Sequence, residues 1–127
     1  MDKATVQKTS CHLEPLDPHT LVGQSGYAFA GIGDNERFKD TLKEMGLAVQ
    51  GFRPFPDHHS YSDRDLKEIL ADQTVSPAQY LVTTEKDFYR LYRWLPLSMP
   101  LLVVGVEIRF ASEFSAKFEE LILKVME

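Results

Sequence analysis

The hydrophobic positions of this 127-residue chain alternate between short continuous runs and helical stripes. Mainly apolar runs of strand length occur at residues 27–32, 47–52, 80–83 and 101–105. After the last run, apolar and polar residues alternate over residues 106–110, which predicts a further strand. Between them, apolar residues recur at the spacing of one helix face, which predicts amphipathic helices. The stripes are Phe38, Leu42 and Met45; Leu66, Ile69 and Leu70; Phe88, Leu91, Tyr92 and Leu95; and Phe114, Phe118, Leu121, Ile122 and Val125.

Strand followed by helix, repeated, predicts an α/β fold. We expect a three-layer, Rossmann-like domain with a mostly parallel sheet and helices on both faces. Counting strands from the run at 27–32, the predicted order is 2-1-3-4. The winding would then reverse between the first and third strands, where ligands of open α/β sheets bind. Residues 1–20 are polar with two prolines and predict an irregular lead-in, with room for a short edge strand, and residues 21–127 form the α/β lobe.

Composition narrows the class of protein. With 43% hydrophobic and 26% charged residues, the chain is typical of folded globular domains. A net charge of -5 argues against general nucleic-acid binding, so we expect no nucleic-acid partner. The single cysteine, Cys11, excludes an internal disulfide and fits a reducing compartment. The longest apolar run, residues 101–106, is far shorter than the ~20 residues of a spanning helix, so no transmembrane segment is predicted.

Three polar loops each follow a predicted strand and precede a predicted helix. We call them the glycine loop (residues 31–34), the histidine loop (residues 52–61) and the threonine loop (residues 83–87). Because parallel strands end at the same edge of a sheet, the glycine and threonine loops should flank the crevice and the histidine loop should lie one strand over.

Composition alone does not decide what chemical role the residues of these loops have. His58 and His59 could be a general base, a metal ligand or packing groups beside Tyr61, with Asp57 capping a turn. We predict no metal site, because zinc needs three or four ligands and this cluster stands alone. The glycine loop could bind an anion through backbone N–H groups or simply permit a tight bend.

The threonine loop has two interpretations as well. It is either a polar rim that contacts a sugar or base, or good helix capping with a solvent-facing Glu/Lys pair. The chain contains no G-x-x-x-x-G-K-[ST] phosphate loop, so the usual cradle for a nucleotide's phosphates is missing.

Taken together, three motifs are more specific than any one alone. They are Ala28-Phe29-Ala30-Gly31-Ile32-Gly33, then Phe55-Pro56-Asp57-His58-His59-Ser60-Tyr61, then Thr83-Thr84-Glu85-Lys86-Asp87 followed by Arg90-Leu91. In order and spacing, from about Leu21 to about Leu91, the chain resembles the C-terminal half of tetraacyldisaccharide 4'-kinase, the lipid A kinase of Gram-negative bacteria. The family usually has a proline after the glycine-rich turn, where this chain has Asp34-Asn35-Glu36.

The resemblance implies an ATP-dependent lipid kinase. The family enzyme phosphorylates the 4'-hydroxyl of tetraacyldisaccharide 1-phosphate to form lipid IVA in lipopolysaccharide biosynthesis. Its N-terminal half carries the phosphate loop, the Mg²⁺-binding acids and the membrane-facing substrate region. The resemblance also implies a cytoplasmic protein, with the full enzyme peripheral on the inner face of the inner membrane. ATP and Mg²⁺ would be held mainly by the N-terminal half, which is the expected partner of this chain.

The resemblance also assigns roles to residues. His58 is the catalytic candidate, expected to partner an aspartate of the N-terminal half in activating the substrate hydroxyl, with Asp57 as its supporting neighbour. The positions expected near the nucleotide are Thr84, Glu85, Lys86, Asp87, Gly31 and Gly33. The chain alone is expected to be inactive, and the surface that meets the missing half could pair two copies in a homodimer. The alternative is a non-catalytic α/β interaction module that keeps the fold.

Overall fold

The computed structural model describes residues 12–75, 78–95, 97–105 and 107–112. Within these ranges the strands are β1 His12–Pro15, β2 Ser25–Ala30, β3 Ala48–Pro54, β4 Tyr80–Thr84, β5 Leu101–Val104 and β6 Ile108–Ser112. The helices are α1 Asn35–Glu44, α2 Asp63–Val75 and α3 Glu85–Arg90, with 3₁₀ turns at Pro18–Leu21 and Tyr92–Trp94. Cys11 and the final helix predicted over residues 114–125 lie outside the described residues.

The strands form a mixed sheet in the order β1-β6-β5-β4-β2-β3. The full order differs from the predicted 2-1-3-4 because β1 and β6 lie beyond β5, while the four strands that the prediction numbered lie as β3-β2-β4-β5, in the predicted sequence. β3, β2, β4 and β5 are parallel neighbours, whereas β1 and β6 add antiparallel at the β5 edge. The prediction gave β6 no place in the order. Only residues 105–107 connect β5 to β6, and a parallel pairing needs a crossover of a dozen residues or more, so β6 must turn back. β1 lies within the segment predicted as a lead-in.

Helices cover both faces of the sheet, because neighbouring residues of each strand point to opposite sides. Ala28 of β2 packs in one core with Leu42 of α1. The next residue, Phe29, packs in a second core with Ile69 of α2 and Phe88 of α3. All five side chains are buried, so the four parallel strands are held in place from both sides.

Side-chain caps fix the helix starts beside the loops. The Asp34 carboxylate accepts the N–H of Arg37 at 3.0 Å and begins α1. Before α2, Ser62 Oγ accepts the N–H of Asp65 at 3.2 Å while Asp65 Oδ2 accepts the N–H of Ser62 at 3.0 Å, a reciprocal capping box. Gly46, with a φ of 81°, follows α1 in the left-handed conformation that suits glycine.

The helix after β4 is shorter than its apolar stripe predicted. α3 ends at Arg90, and Tyr92 belongs to a separate 3₁₀ turn. Because this turn has three residues per turn instead of 3.6, it rotates Tyr92 off the buried stripe. Tyr92 was predicted to face the core, but it is 42% exposed.

Gly26 of β2 provides a test of the packing between β2 and β4. A Cβ at this position would overlap the fully buried ring of Tyr80. We therefore expect Gly26→Ala to lower the free energy of unfolding by about 1–3 kcal/mol, as in other overpacked cores. Gly33→Ala is the matched control, because its Cβ would meet only Asp57 Oδ2, at an ordinary 3.4 Å. Urea titration of both variants measures the difference, and equal stability would contradict this packing.

Candidate functional site

The three loops meet at one edge of the sheet. The parallel pairing of β2 with β3 and β4 brings their carboxyl ends side by side. The Phe55 N–H donates to Ala30 O at 2.8 Å, and the His58 N–H donates to Gly31 O at 3.2 Å. The histidine loop, whose first residues form the end of β3, therefore lies directly against the glycine loop.

One carboxylate joins all three loops. Asp87 is fully buried, and it accepts the Gly31 N–H at 3.0 Å, the Tyr61 O–H at 2.8 Å and the Thr84 O–H at 2.5 Å. Arg90 Nη1 lies 3.5 Å from Asp87 Oδ1. Each loop thus supplies one hydrogen bond to the same group. The predicted cap is present, because the Thr84 side chain accepts the Asp87 N–H, and the buried Asp87 carboxylate also positions the loops. That Asp87 lies near the nucleotide stays a prediction.

Tyr61 is a neutral donor in this arrangement. Burial raises the pKa of Tyr61 above its ordinary value, and the nearby Asp87 carboxylate raises it further. The phenol therefore keeps its proton at neutral pH. Its ring packs edge-on against Phe29 and Phe55, with centroid distances of 5.9 and 5.1 Å, so the hydroxyl is held in place by the core.

Gly31 lets the loops approach closely. A Cβ there would lie 2.9 Å from Pro56 O and 3.0 Å from His59 Cβ, so a side chain would push the histidine loop away. Its own N–H is already paired with Asp87, and its carbonyl accepts from Arg90 Nη1 at 2.9 Å. This amide is therefore not free to bind an anion.

His59 is a packing residue. Its ring stacks on Phe55 with centroids 4.6 Å apart and an interplanar angle of 22°. Its Nε2 lies 2.8 Å from Asp65 Oδ2, which ties the histidine loop to the start of α2. With a side chain only 23% exposed, His59 is occupied on both its face and its edge.

The side chain of His58, unlike that of His59, is exposed to solvent. Its side chain is 79% exposed, and its φ of 62° is the one positive value among the described non-glycine residues. A left-handed conformation costs roughly 1–2 kcal/mol in a residue with a Cβ. The ring contacts Arg90 Nη2 through Nδ1 at 3.3 Å, and Nε2 lies 3.6 Å from Asp57 Oδ2. Such strained, exposed positions are enriched at functional sites.

Arg90 is the residue that sequence reasoning did not assign. It stood in the motif, but no role was given to it. Its position three residues after Asp87 places both on one side of α3, which was a usable signal. Only the fold, however, brings it to Gly31 and His58.

A cleft of about 430 Å³ opens beside these loops. Its lining residues come from the glycine loop, the threonine loop and the end of β5: Ile32, Gly33, Asp34, Thr84, Glu85, Lys86, Val104 and Gly105. Glu85 Oε1 is paired with Arg109 Nη2 at 2.8 Å. The expected positions Gly33, Thr84, Glu85 and Lys86 therefore share one concave surface. A second cleft of about 320 Å³ lies between α1 and β3, and Phe52 is the one residue of the three loops in its lining.

The described residues lack two features that would indicate a metal site or a membrane span. They contain no group of three or more His, Cys, Asp or Glu side chains arranged to hold a metal ion. None of their helices has the length and apolar character needed to cross a bilayer.

Comparison with known proteins assigns the family. The family model described as "Tetraacyldisaccharide-1-P 4'-kinase" matches residues 2–127. The chain belongs to this family.

Curated relatives named tetraacyldisaccharide 4'-kinase agree. The protein from Syntrophus aciditrophicus (strain SB) is 37% identical over 111 residues, covering 87% of this chain and 29% of the relative. The protein from Rhodopseudomonas palustris (strain BisA53) is 51% identical over 83 residues, covering 63% of this chain and 24% of the relative. The chain thus spans less than a third of the length of these relatives.

One solved structure is also similar. It is a crystal structure of LpxK from Aquifex aeolicus in complex with ATP, with a TM-score of 0.47 and 24% identity, covering 92% of this chain and 36% of that one.

In this member of the kinase family, Asp87→Asn should destabilise the whole loop cluster. The amide oxygen can still accept from Gly31 and Tyr61, but the amide nitrogen cannot accept the Thr84 O–H, and Arg90 loses the negative charge of its buried partner. We expect the free energy of unfolding to fall by about 3–5 kcal/mol in urea titrations. Asp57→Asn, at a half-exposed position of the same cluster, should change it by less than about 0.5 kcal/mol. Equal effects would show that Asp87 does not organise the loops.

Asp65 should make stability sensitive to acid. Burial opposes its ionisation, but hydrogen bonds from His59 and Ser62 outweigh burial and lower the pKa of Asp65 below its ordinary value. Because the folded-state pKa is lower than the unfolded one, this stabilisation is present above the unfolded value and is lost as pH falls through the folded one. Asp65→Asn should therefore lose less stability than the parent between about pH 6 and about pH 3.

The comparison is made with urea titrations at several pH values in that range. Asp40→Asn, on the exposed surface of α1, should follow the parent curve. An Asp65→Asn curve parallel to the parent's would contradict the proposed role of this carboxylate.

Proposed function

We propose that this chain is the C-terminal portion of an ATP-dependent kinase that phosphorylates the 4'-hydroxyl of tetraacyldisaccharide 1-phosphate, forming lipid IVA. The observation that carries the proposal is the ring of His58, which is exposed on a left-handed backbone and contacted by Arg90 Nη2 at 3.3 Å, in a member of this family. A histidine can be exposed on a surface without a left-handed backbone, so exposure alone does not explain the strained φ of His58.

The charges of the cleft indicate which part of a nucleotide would bind to this chain and which part to the rest of the enzyme. Asp34, Glu85 and Lys86 line the cleft, and Glu85 is paired with Arg109 at 2.8 Å, so these charges leave no excess of positive charge. Such a surface suits the sugar or base of a nucleotide better than its phosphates. We therefore infer that Thr84, Lys86 and Gly33 line the rim near the nucleoside, while the rest of the enzyme holds the phosphates and Mg²⁺. ATP supplies the transferred phosphoryl group when bound.

His58 would serve the acceptor side of the reaction. Phosphoryl transfer depends mainly on positioning and charge neutralisation, and a placed proton-handling group adds roughly 10²–10⁴-fold. His58 would pair with an aspartate of the N-terminal half at the substrate hydroxyl. Asp57, whose carboxylate lies 3.6 Å from Nε2, would support the ring from its own loop.

The cellular setting follows from the same proposal. The lipid disaccharide is met at a membrane surface, so the full enzyme would be a cytoplasmic protein peripheral on the inner face of the inner membrane. The direct partner of this chain would be the N-terminal half. The surface that meets that half could pair two copies in isolation.

A chimera tests the proposal directly. Residues 1–127 replace the matching segment of the Syntrophus aciditrophicus kinase, and ATP-dependent phosphorylation of tetraacyldisaccharide 1-phosphate is measured. We expect turnover by the chimera, none by the isolated chain, and a loss of about 10²–10⁴-fold in kcat on His58→Ala. His19→Ala, which removes an exposed histidine far from the loops in sequence, is the matched control.

Two results would contradict the proposal. Robust turnover by the isolated chain would show that it is not a partial enzyme. Unchanged turnover of the His58→Ala chimera would show that the histidine has no part in the reaction, which favours the non-catalytic interaction module.

A further inference from the structure

Arg90 connects the buried carboxylate to the exposed imidazole. Its side chain is 23% exposed, with Nη1 3.5 Å from Asp87 Oδ1 and donating to Gly31 O at 2.9 Å. Its Nη2 lies 3.3 Å from His58 Nδ1. The guanidinium is planar, so the anchoring of Nη1 to two groups also fixes the direction of Nη2.

The chemistry of this contact determines where the proton of His58 resides. A guanidinium has only donors, so Nδ1 must be the acceptor. A neutral imidazole that accepts at Nδ1 carries its proton on Nε2. We propose that Arg90 is a positioning residue that holds neutral His58 in the Nε2–H tautomer.

The tautomer decides what His58 can offer a substrate. Nε2 is the ring nitrogen not engaged by Arg90, and it faces the Asp57 side of the loop. In the Nε2–H tautomer it is a hydrogen-bond donor without a lone pair. Resting on the proposed function, the consequence is that the proton of the 4'-hydroxyl passes first to a different base. His58 orients that base through Nε2–H.

The neighbouring histidine provides an internal reference. His59 Nε2 lies beside the Asp65 carboxylate, which is an acceptor, so its proton position is set by Asp65 and not by Arg90. A change in Arg90 should therefore alter the ring of His58 and leave that of His59 as it is.

The test is the ring-nitrogen NMR spectrum of the whole 127-residue chain, labelled with ¹⁵N-histidine, at alkaline pH where imidazoles are neutral. Protonated and bare ring nitrogens have widely separated shifts. We expect His58 to show a bare Nδ1 and a protonated Nε2. In Arg90→Met, both nitrogens should move toward the mixture that a free imidazole shows.

Controls separate a specific effect from a loss of folding. Arg93→Met removes a nearby exposed guanidinium that lies over the Trp94 ring, and it should leave the His58 signals unchanged. Arg90→Lys keeps a positive charge beside Asp87 but lacks the fork that reaches two groups, so it should release the tautomer while preserving the His59 signals.

Two outcomes would overturn the inference. One is a protonated Nδ1 in the unaltered chain, which needs no variant and stands even if Arg90→Met fails to fold. The other is an unchanged His58 tautomer in Arg90→Lys. Neither depends on the kinase assay, so an active chimera with either result would uphold the proposed function and reject the role of Arg90.

Discussion

The arrangement of the site depends on a single buried charge. Asp87 has no exposed surface and receives one hydrogen bond from each of the three loops. A carboxylate taken out of water is costly unless its oxygens are fully paired. If one loop moved away, the buried carboxylate would lose a hydrogen-bond donor, and the folded state would become less stable. The carboxylate therefore specifies one geometry for three segments that are distant in sequence.

Arg90 links the buried Asp87 carboxylate to an exposed residue, His58. Arg90 is held by Asp87 and Gly31 and reaches the exposed ring of His58. His58 and His59 are adjacent and chemically identical, yet one is packed between aromatic rings and the other faces solvent on a strained backbone. Packing on one side and exposure on the other present the His58 ring to solvent in a fixed orientation.

The cleft beside the loops is lined by polar and charged groups as well as by Ile32 and Val104. Its lining charges leave no excess of positive charge, because Arg109 pairs with Glu85, and the chain contains no phosphate loop. Because the chain spans less than a third of its relatives, an incomplete set of groups is what the comparisons lead one to expect. Under the proposed function, the chain would support the site and His58, and the remainder of the enzyme would hold the phosphates.

Local patterns in the sequence determined the elements and placed the three loops at strand ends, because apolar periodicity, caps and glycines act over a few residues. Asp34, Ser62 and Thr84 all bond at helix starts as short-range rules require. Tertiary structure alone decided that β1, from the other end of the chain, pairs with β6. It also turned Asp87 inward and brought Arg90 to His58. Those contacts join residues 26 to 59 positions apart in the sequence. Patterns that extend over only a few residues cannot predict which of such distant residues meet in the fold.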